Sequence, residues 1–205
     1  MNFTPLELIK FAFAAYLAYD FVQYLRSGQL KRHLTVFAKR TPLEWAKAFL
    51  LVTAEVAVVF GIIYALWAAN EKIFSWSWLN LVATPADGEN PGTNLIVSST
   101  QNKWFGPAFI ILLALNIPRL ARREEEIFRR GTTDFSDALI RSTKFGFMHM
   151  IVGVPIAAAV ALCFSGLFFT WRYKVGRIRE SSYYHSVHNL ALVGYIAFLV
   201  VTGKF

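Results

Sequence analysis

Long apolar runs joined by short charged connections limit what this chain can fold into more than any other feature. A helix needs ~20 apolar residues to cross the hydrocarbon core of a bilayer. Runs approaching that length extend from about Pro5 to Leu25, Trp45 to Ala69, Trp104 to Leu120, Asp134 to Val152, Ile156 to Tyr173 and Ser181 to Thr202. With 56% hydrophobic and only 17% charged residues, the composition departs from that of a soluble domain. Backbone amides inside lipid must be satisfied within their own segment, which a helix achieves. The expected fold is therefore all-α, a polytopic bundle of about six membrane-embedded helices.

The charges orient that bundle. The net charge is +8, but Lys and Arg come in bursts beside the apolar runs, where they meet anionic lipid headgroups. The bilayer is the expected partner, and nucleic acid is not. Residues 26–40 carry Arg26, Lys31, Arg32, Lys39 and Arg40 with no acid, which marks a cytoplasmic loop. Residues 70–103, with Glu71, Lys72, Asp87, Glu89 and Lys103, carry net charge −1 and belong outside. Trp76, Trp78 and Trp104 are placed there like interfacial anchors, and Pro85, Gly88, Pro91 and Gly92 break the segment. Arg172, Lys174, Arg177 and Arg179 again point to the cytoplasm. The pattern holds throughout only if Gly153-Val154-Pro155 turns a membrane hairpin. Met1 to Leu25 lacks a basic leader and holds Glu7, Lys10 and Asp20, so it reads as a retained first helix rather than a signal peptide. A multi-pass protein of a prokaryotic inner membrane, or of an internal membrane, is the expectation.

Local signals add detail. Thr41-Pro42-Leu43-Glu44 predicts a capped helix start, and Pro118 predicts a kink. Gly131-Thr132-Thr133-Asp134 reads as a stop followed by a new cap. Glu55, in the middle of the second run, must find a partner or a polar cavity. Cys163 is the single cysteine, so no intramolecular disulfide forms.

Three constellations carry candidate chemistry. In the cluster from Arg123 to Gly131, Glu125 and Arg129 stand four apart with the acid first, the favourable order for a helical ion pair. Glu124 is left one position round the helix, free to act as a general base. In Phe145-xxx-His149 an aromatic and a histidine share one helix face. In His185-xxx-Asn189 an imidazole and an amide do the same, with His188 about 60° away. Each also has a plain reading: a solvated charged helix end, a packing histidine, an interhelical hydrogen bond.

In their order and spacing these motifs resemble those of the CAAX protease and bacteriocin-processing family of intramembrane endopeptidases, EExxxR, FxxxH and HxxxN or HxxxD. The match covers roughly residues 119–195, within a motif-bearing helical core of residues 119–205, while residues 1–118 are expected to hold transmembrane helices without a motif; the two parts are expected to form one integral membrane unit. Glu125-Glu126-xxx-Arg130 has the same spacing as Glu124-Glu125-xxx-Arg129. The second register keeps Phe128 before the arginine, as in the family's EExxFR form.

The resemblance implies an endopeptidase in which glutamate activates a water, assisted by His149 and His185, with Asn189 helping to stabilise the oxyanion. Glu124, Glu125, Arg129, His149, His185 and Asn189 are then the site residues. A Zn2+ ion held by Glu124 or Glu125 with His149 and His185 is one form of this chemistry, and metal-free catalysis is the other. The substrate would be a membrane-associated or lipid-anchored peptide or protein. A non-catalytic scaffold or accessory subunit bound to another membrane protein is the alternative. A transporter built on Asp20, Glu55 and the histidines ranks third.

Overall fold

The computed structural model describes residues 5–81 and 105–202. Among these residues the protein is helical, with no strand. The six α-helices are α1 (Pro5–Arg26), α2 (Gln29–Ala38), α3 (Pro42–Phe74), α4 (Phe105–Phe128), α5 (Phe135–Met148) and α6 (Ile156–Val201). Short 3₁₀ turns occupy Trp78–Leu81 and His149–Val152. Pro85, Gly88, Pro91, Gly92 and Trp104 lie outside the described residues.

Helix α3 shows how the sequence writes these elements. Thr41 and Glu44 form the expected capping box: the threonine hydroxyl accepts from Glu44 N–H, and the Glu44 carboxylate accepts from Thr41 N–H at 2.8 Å. Its buried residues Ala48, Val52, Glu55 and Val59 recur at helical spacing and form one stripe. The remaining surface exposes Phe49 (66%), Leu50 (70%) and Tyr64 (75%). Helix α3, and α6 as far as Phe198, are long and apolar enough to cross a membrane.

Helix α6 is a hairpin, not one rod. Gly176 (φ −140°, ψ 22°) and Arg177 (φ 60°, ψ −162°) leave helical geometry. In a straight helix Phe169 and His185 would be about 24 Å apart, yet their rings stack at 4.3 Å. The two halves therefore run antiparallel, as the basic stretch between the fifth and sixth apolar runs required. A positive φ at a non-glycine residue costs on the order of 1–3 kcal/mol. The turn is closed by Glu180, which accepts from Arg172 at 2.7 Å and from Arg40 at 2.6 Å.

The second hairpin lies where it was expected. Gly153 adopts φ 86°, and Leu79 packs over it. Helix α5 then runs against the first half of α6 with backbones close: a Cβ on Gly166 would lie 2.8 Å from Ser142 Cβ, and one on Gly146 would strike Ala159 O and Cys163 Sγ. Small residues at these contacts let the two backbones approach closely.

Contacts at the two ends bring the charged connections together. At one end Lys174 Nζ donates to Thr132 O (2.7 Å) and Thr133 O (2.9 Å), Gly131 N–H donates to Tyr173 Oη (3.2 Å), and Arg40 reaches Glu180. At the other, Ser77 Oγ donates to Gly153 O (2.8 Å) and Trp78 Nε1 to Met150 O (2.6 Å). The basic stretches around residues 26–40 and 172–179 thus share one end, the geometry that the hairpin at Gly153 was inferred to produce.

Two expectations are corrected, and one is sharpened: the helix read in the acidic cluster is continuous with the third apolar run. Residues 29–38 form helix α2 rather than a loop, because Val36 and Phe37 give it an apolar side against the core while Lys31 and Arg32 stay exposed. Helix α4 does not end at Leu120 but runs on to Phe128. Arg122 and Arg130 both pair with Glu126 at helical spacing, at 2.7 and 3.5 Å, and support the extension. Met148 ends α5, so residues 149–152 make a 3₁₀ turn in place of a continuous helix to Val152.

Candidate active site

The site is assembled by three chain reversals. The end of α4 supplies Glu124, Glu125 and Arg129; α5 and the turn after it supply Phe145 and His149; the second half of α6 supplies His185. The α6 hairpin is what returns His185 to the level of the α4 carboxylates.

Glu125 is held from two sides. His185 Nδ1 lies 2.9 Å from its Oε1, and Arg129 Nε 3.7 Å from its Oε2, with all three side chains at most 1% exposed. Arg129 also lies over the Phe145 ring, 4.7 Å from its centroid, so a cation–π contact shares its desolvation cost. By contrast Arg130 is 65% exposed and pairs with surface Glu126. Of the two arginines it is Arg129 that turns inward, the one in the Glu124-Glu125-xxx-Arg129 spacing.

Glu124 is the free carboxylate. Its side chain is 29% exposed, and its Oε2, itself buried, has no hydrogen-bond partner among the described residues. That oxygen lies 3.4 Å from His185 Nε2 and 4.0 Å from His149 Nε2. Both imidazoles present Nε2 to it because their Nδ1 atoms are engaged, His185 with Glu125 and His149 with Phe145 O at 2.8 Å. The second contact turns the His149 ring back along α5. This answers how a residue at the far end of that helix meets one near the end of α4.

Phe145 is the apolar hub. Its ring meets His149 at 4.7 Å, His185 at 5.5 Å, Phe169 at 6.1 Å and Phe128 at 5.5 Å, all near edge-on. Edge-on packing of this kind fixes rings in place. Asn189, one turn beyond His185, is half-buried, and its side chain makes no hydrogen bond to the other five residues in this structure. The structure thus brings together five of the six predicted residues and leaves Asn189 beside them.

Residues outside the motifs complete the setting. Glu55 of α3 meets His188 Nδ1 at 2.5 Å and accepts a hydrogen bond from Ser165 Oγ, with Glu55 and His188 nearly fully buried. Phe169 lies between the two imidazole pairs, stacked on His185 and edge-on to His188 at 5.4 Å. The sequence signal for this pair was Glu55 itself, an acid at mid-run that needed a partner. On α1, Asp20 pairs with Arg119 at 3.1 Å and Arg123 at 2.8 Å, tying α1 to the base of the acidic cluster.

A zinc ion with ligands at about 2.05 Å in tetrahedral array sets its donors about 3.3 Å apart. The 4.0 Å between His149 and Glu124 is wider, and among the described residues no group of three or more His, Cys, Asp or Glu is arranged to hold a metal. Of the two forms the resemblance allows, the zinc form finds only the His185–Glu124 separation of 3.4 Å near that spacing, and no step below passes through a metal.

A scan of protein-family models, a search of curated proteins and a search of solved structures each returned no match. What the constellation does is argued from its own chemistry.

Proposed function

We propose that the protein is a multi-pass membrane endopeptidase, related to the CAAX protease and bacteriocin-processing family, that cleaves a membrane-associated or lipid-anchored peptide with a water activated by Glu124. One observation carries the reading: a partly exposed carboxylate faces two histidine Nε2 atoms at 3.4 and 4.0 Å, while its neighbour is held by His185 Nδ1 at 2.9 Å beside buried Arg129. Glu124 Oε2, Glu125 Oε2 and Arg129 Nε and Nη2 are all buried here without a hydrogen-bond partner among the described residues, more open polar atoms than a packing cluster carries.

The residues divide the work. Glu124 accepts a proton from water as the water oxygen bonds to the scissile carbonyl carbon. The resulting oxyanion is stabilised by the imidazoles in their doubly protonated form, since each Nδ1 proton is already given to Glu125 or to Phe145 O, with Asn189 as a further donor. Glu124 then returns its proton to the departing amide nitrogen, which becomes the free amine. Glu125 and Arg129 are positioning residues: Arg129 neutralises Glu125, and Glu125 fixes the His185 ring so that Nε2 stays aimed at Glu124. An apolar surround strengthens each of these interactions.

The test is cleavage of lipid-anchored peptides by the purified protein in membranes. Glu124→Gln, His149→Ala and His185→Ala are each expected to lower turnover by about 10²–10⁴-fold, the range typical of general acid–base groups. Monodisperse elution and helical circular dichroism check that each variant folds. Wild-type turnover in all three would sink the endopeptidase and favour the non-catalytic scaffold or accessory subunit.

A further inference from the structure

A cavity of about 320 Å3 lies at the basic end of the bundle, lined by Thr35, Val36, Lys39, Arg40, Glu44 and Arg179. It sits where three segments meet: the end of α2, the first turn of α3 and the residues just after the α6 reversal. Its size falls within the range of small-molecule pockets, and its walls are unevenly charged.

Arg40 is already spent. Its Nη1 donates to Glu44 at 3.1 Å and its Nη2 to Glu180 at 2.6 Å, and Glu180 also accepts from Arg172. Lys39 and Arg179 are different. Both are exposed, and neither makes an ion pair among the described residues. Of the residues lining the cavity, Lys39, Arg40 and Arg179 are cations and Glu44 is the one acid, a net charge of +2. The Arg40 guanidinium is neutralised by its two carboxylates, which leaves Lys39 and Arg179 as the open cations of the wall.

We infer that this cavity binds a phosphate group, with Lys39 and Arg179 as its charge partners. Arginine suits two phosphate oxygens at once and lysine serves as a point charge beside it. The phosphate comes from an anionic lipid headgroup, a monoanionic phosphodiester, or from free phosphate in solution, a mono- or dianion, and both present non-bridging oxygens to the same two side chains. The surplus charge of +2 attracts either. An occupant would tie α2, α3 and the α6 reversal to one another, so binding stabilises the fold by mass action.

The full-length protein in neutral detergent is titrated with inorganic phosphate, and separately with phosphatidylglycerol or phosphatidylcholine, at about 0.15 M salt, where diffuse attraction is screened beyond about 8 Å. Thermal midpoint and retained lipid by native mass spectrometry are read. Wild-type protein is expected to gain stability with inorganic phosphate or to retain phosphatidylglycerol over phosphatidylcholine. A response to phosphate alone identifies the free anion as the source, and a response to phosphatidylglycerol identifies the headgroup. Lys39→Gln/Arg179→Gln weakens that binding about tenfold or more, whereas Lys31→Gln/Arg32→Gln, which removes the same charge from the exposed side of α2, leaves it within about twofold. Wild-type protein that responds to neither probe, or equal losses in the two double variants, would overturn the inference.

Discussion

Adjacent glutamates with opposite fates are the clearest lesson at the scale of single residues. Glu124 and Glu125 differ by one step round a helix, which turns one carboxylate toward two imidazole Nε2 atoms and the other toward buried Arg129. Substituting them should therefore separate stability from turnover. Glu125→Ala strands an arginine that has no exposure, and breaking a buried pair costs about 3–5 kcal/mol. Glu126→Ala removes only surface pairs and should stay within about 0.5 kcal/mol of wild type. Glu124→Gln keeps the fold and loses turnover. Denaturant unfolding of the three variants checks this, and equal stability of Glu125→Ala and Glu126→Ala would contradict the inward register of Arg129. The spacing of Glu124, Glu125, Arg129, His149 and His185 was legible from the residues alone. His188 was not, because nothing in the spacing of a histidine says which distant acid it will meet.

Elements respond to what their neighbours allow. Helices α5 and α6 touch through Gly146, where an added methyl would meet Cys163 Sγ at 2.5 Å and Cys163 N at 2.8 Å. Gly146→Ala is expected to cost about 1–3 kcal/mol through overpacking, while Gly61→Ala, with open space around it, should be neutral or stabilising by up to about 1 kcal/mol. Thermal midpoints distinguish the two, and tolerance at Gly146 would refute the close packing. Helix α2 carries a pH response of its own. Burial pushes the His33 imidazole below its ordinary pKa, and the Arg122, Arg119 and Arg32 charges add to the shift. His33 Nδ1 lies 2.8 Å from Tyr24 Oη. A depressed pKa means the fold favours the neutral ring, so this contribution is full above the unfolded value of about 6.5 and is lost as pH falls through the folded one. Amide protection in α2 should drop between about pH 7 and pH 5, and His33→Phe should remove that dependence; an unchanged profile in the variant would exclude His33 as its source.

On the scale of the whole molecule, the motif-free helices are joined to the motif-bearing ones by buried charge. Asp20 pins α1 to α4 through Arg119 and Arg123, and Glu55 pins α3 to α6 through His188 and Ser165. Helices α1 and α3 are thus built into the support of the candidate site. Glu55→Leu leaves His188 buried without its carboxylate, and the Glu55→Leu/His188→Leu double variant does not. A double-mutant cycle in unfolding free energy is expected to show coupling of about 0.5–3 kcal/mol, and additivity would show that the two residues act independently.

Helical class, the hairpin at Gly153, the start of α3 and the spacing of most candidate-site residues were set by the sequence, because apolar run length, cap chemistry and i,i+4 spacing are local properties. The structure alone decided which arginine turned inward, that α4 outlasted its apolar run, that α2 folded, and that Glu55 found His188. Those outcomes depend on where a remote segment comes to rest. The reversal at Gly176 and Arg177 folds the second half of α6 back along the first, and that single turn places His185 against Glu124 and His188 against Glu55. No spacing along the chain encodes the distance between side chains brought together by such a turn, since that distance is set by packing.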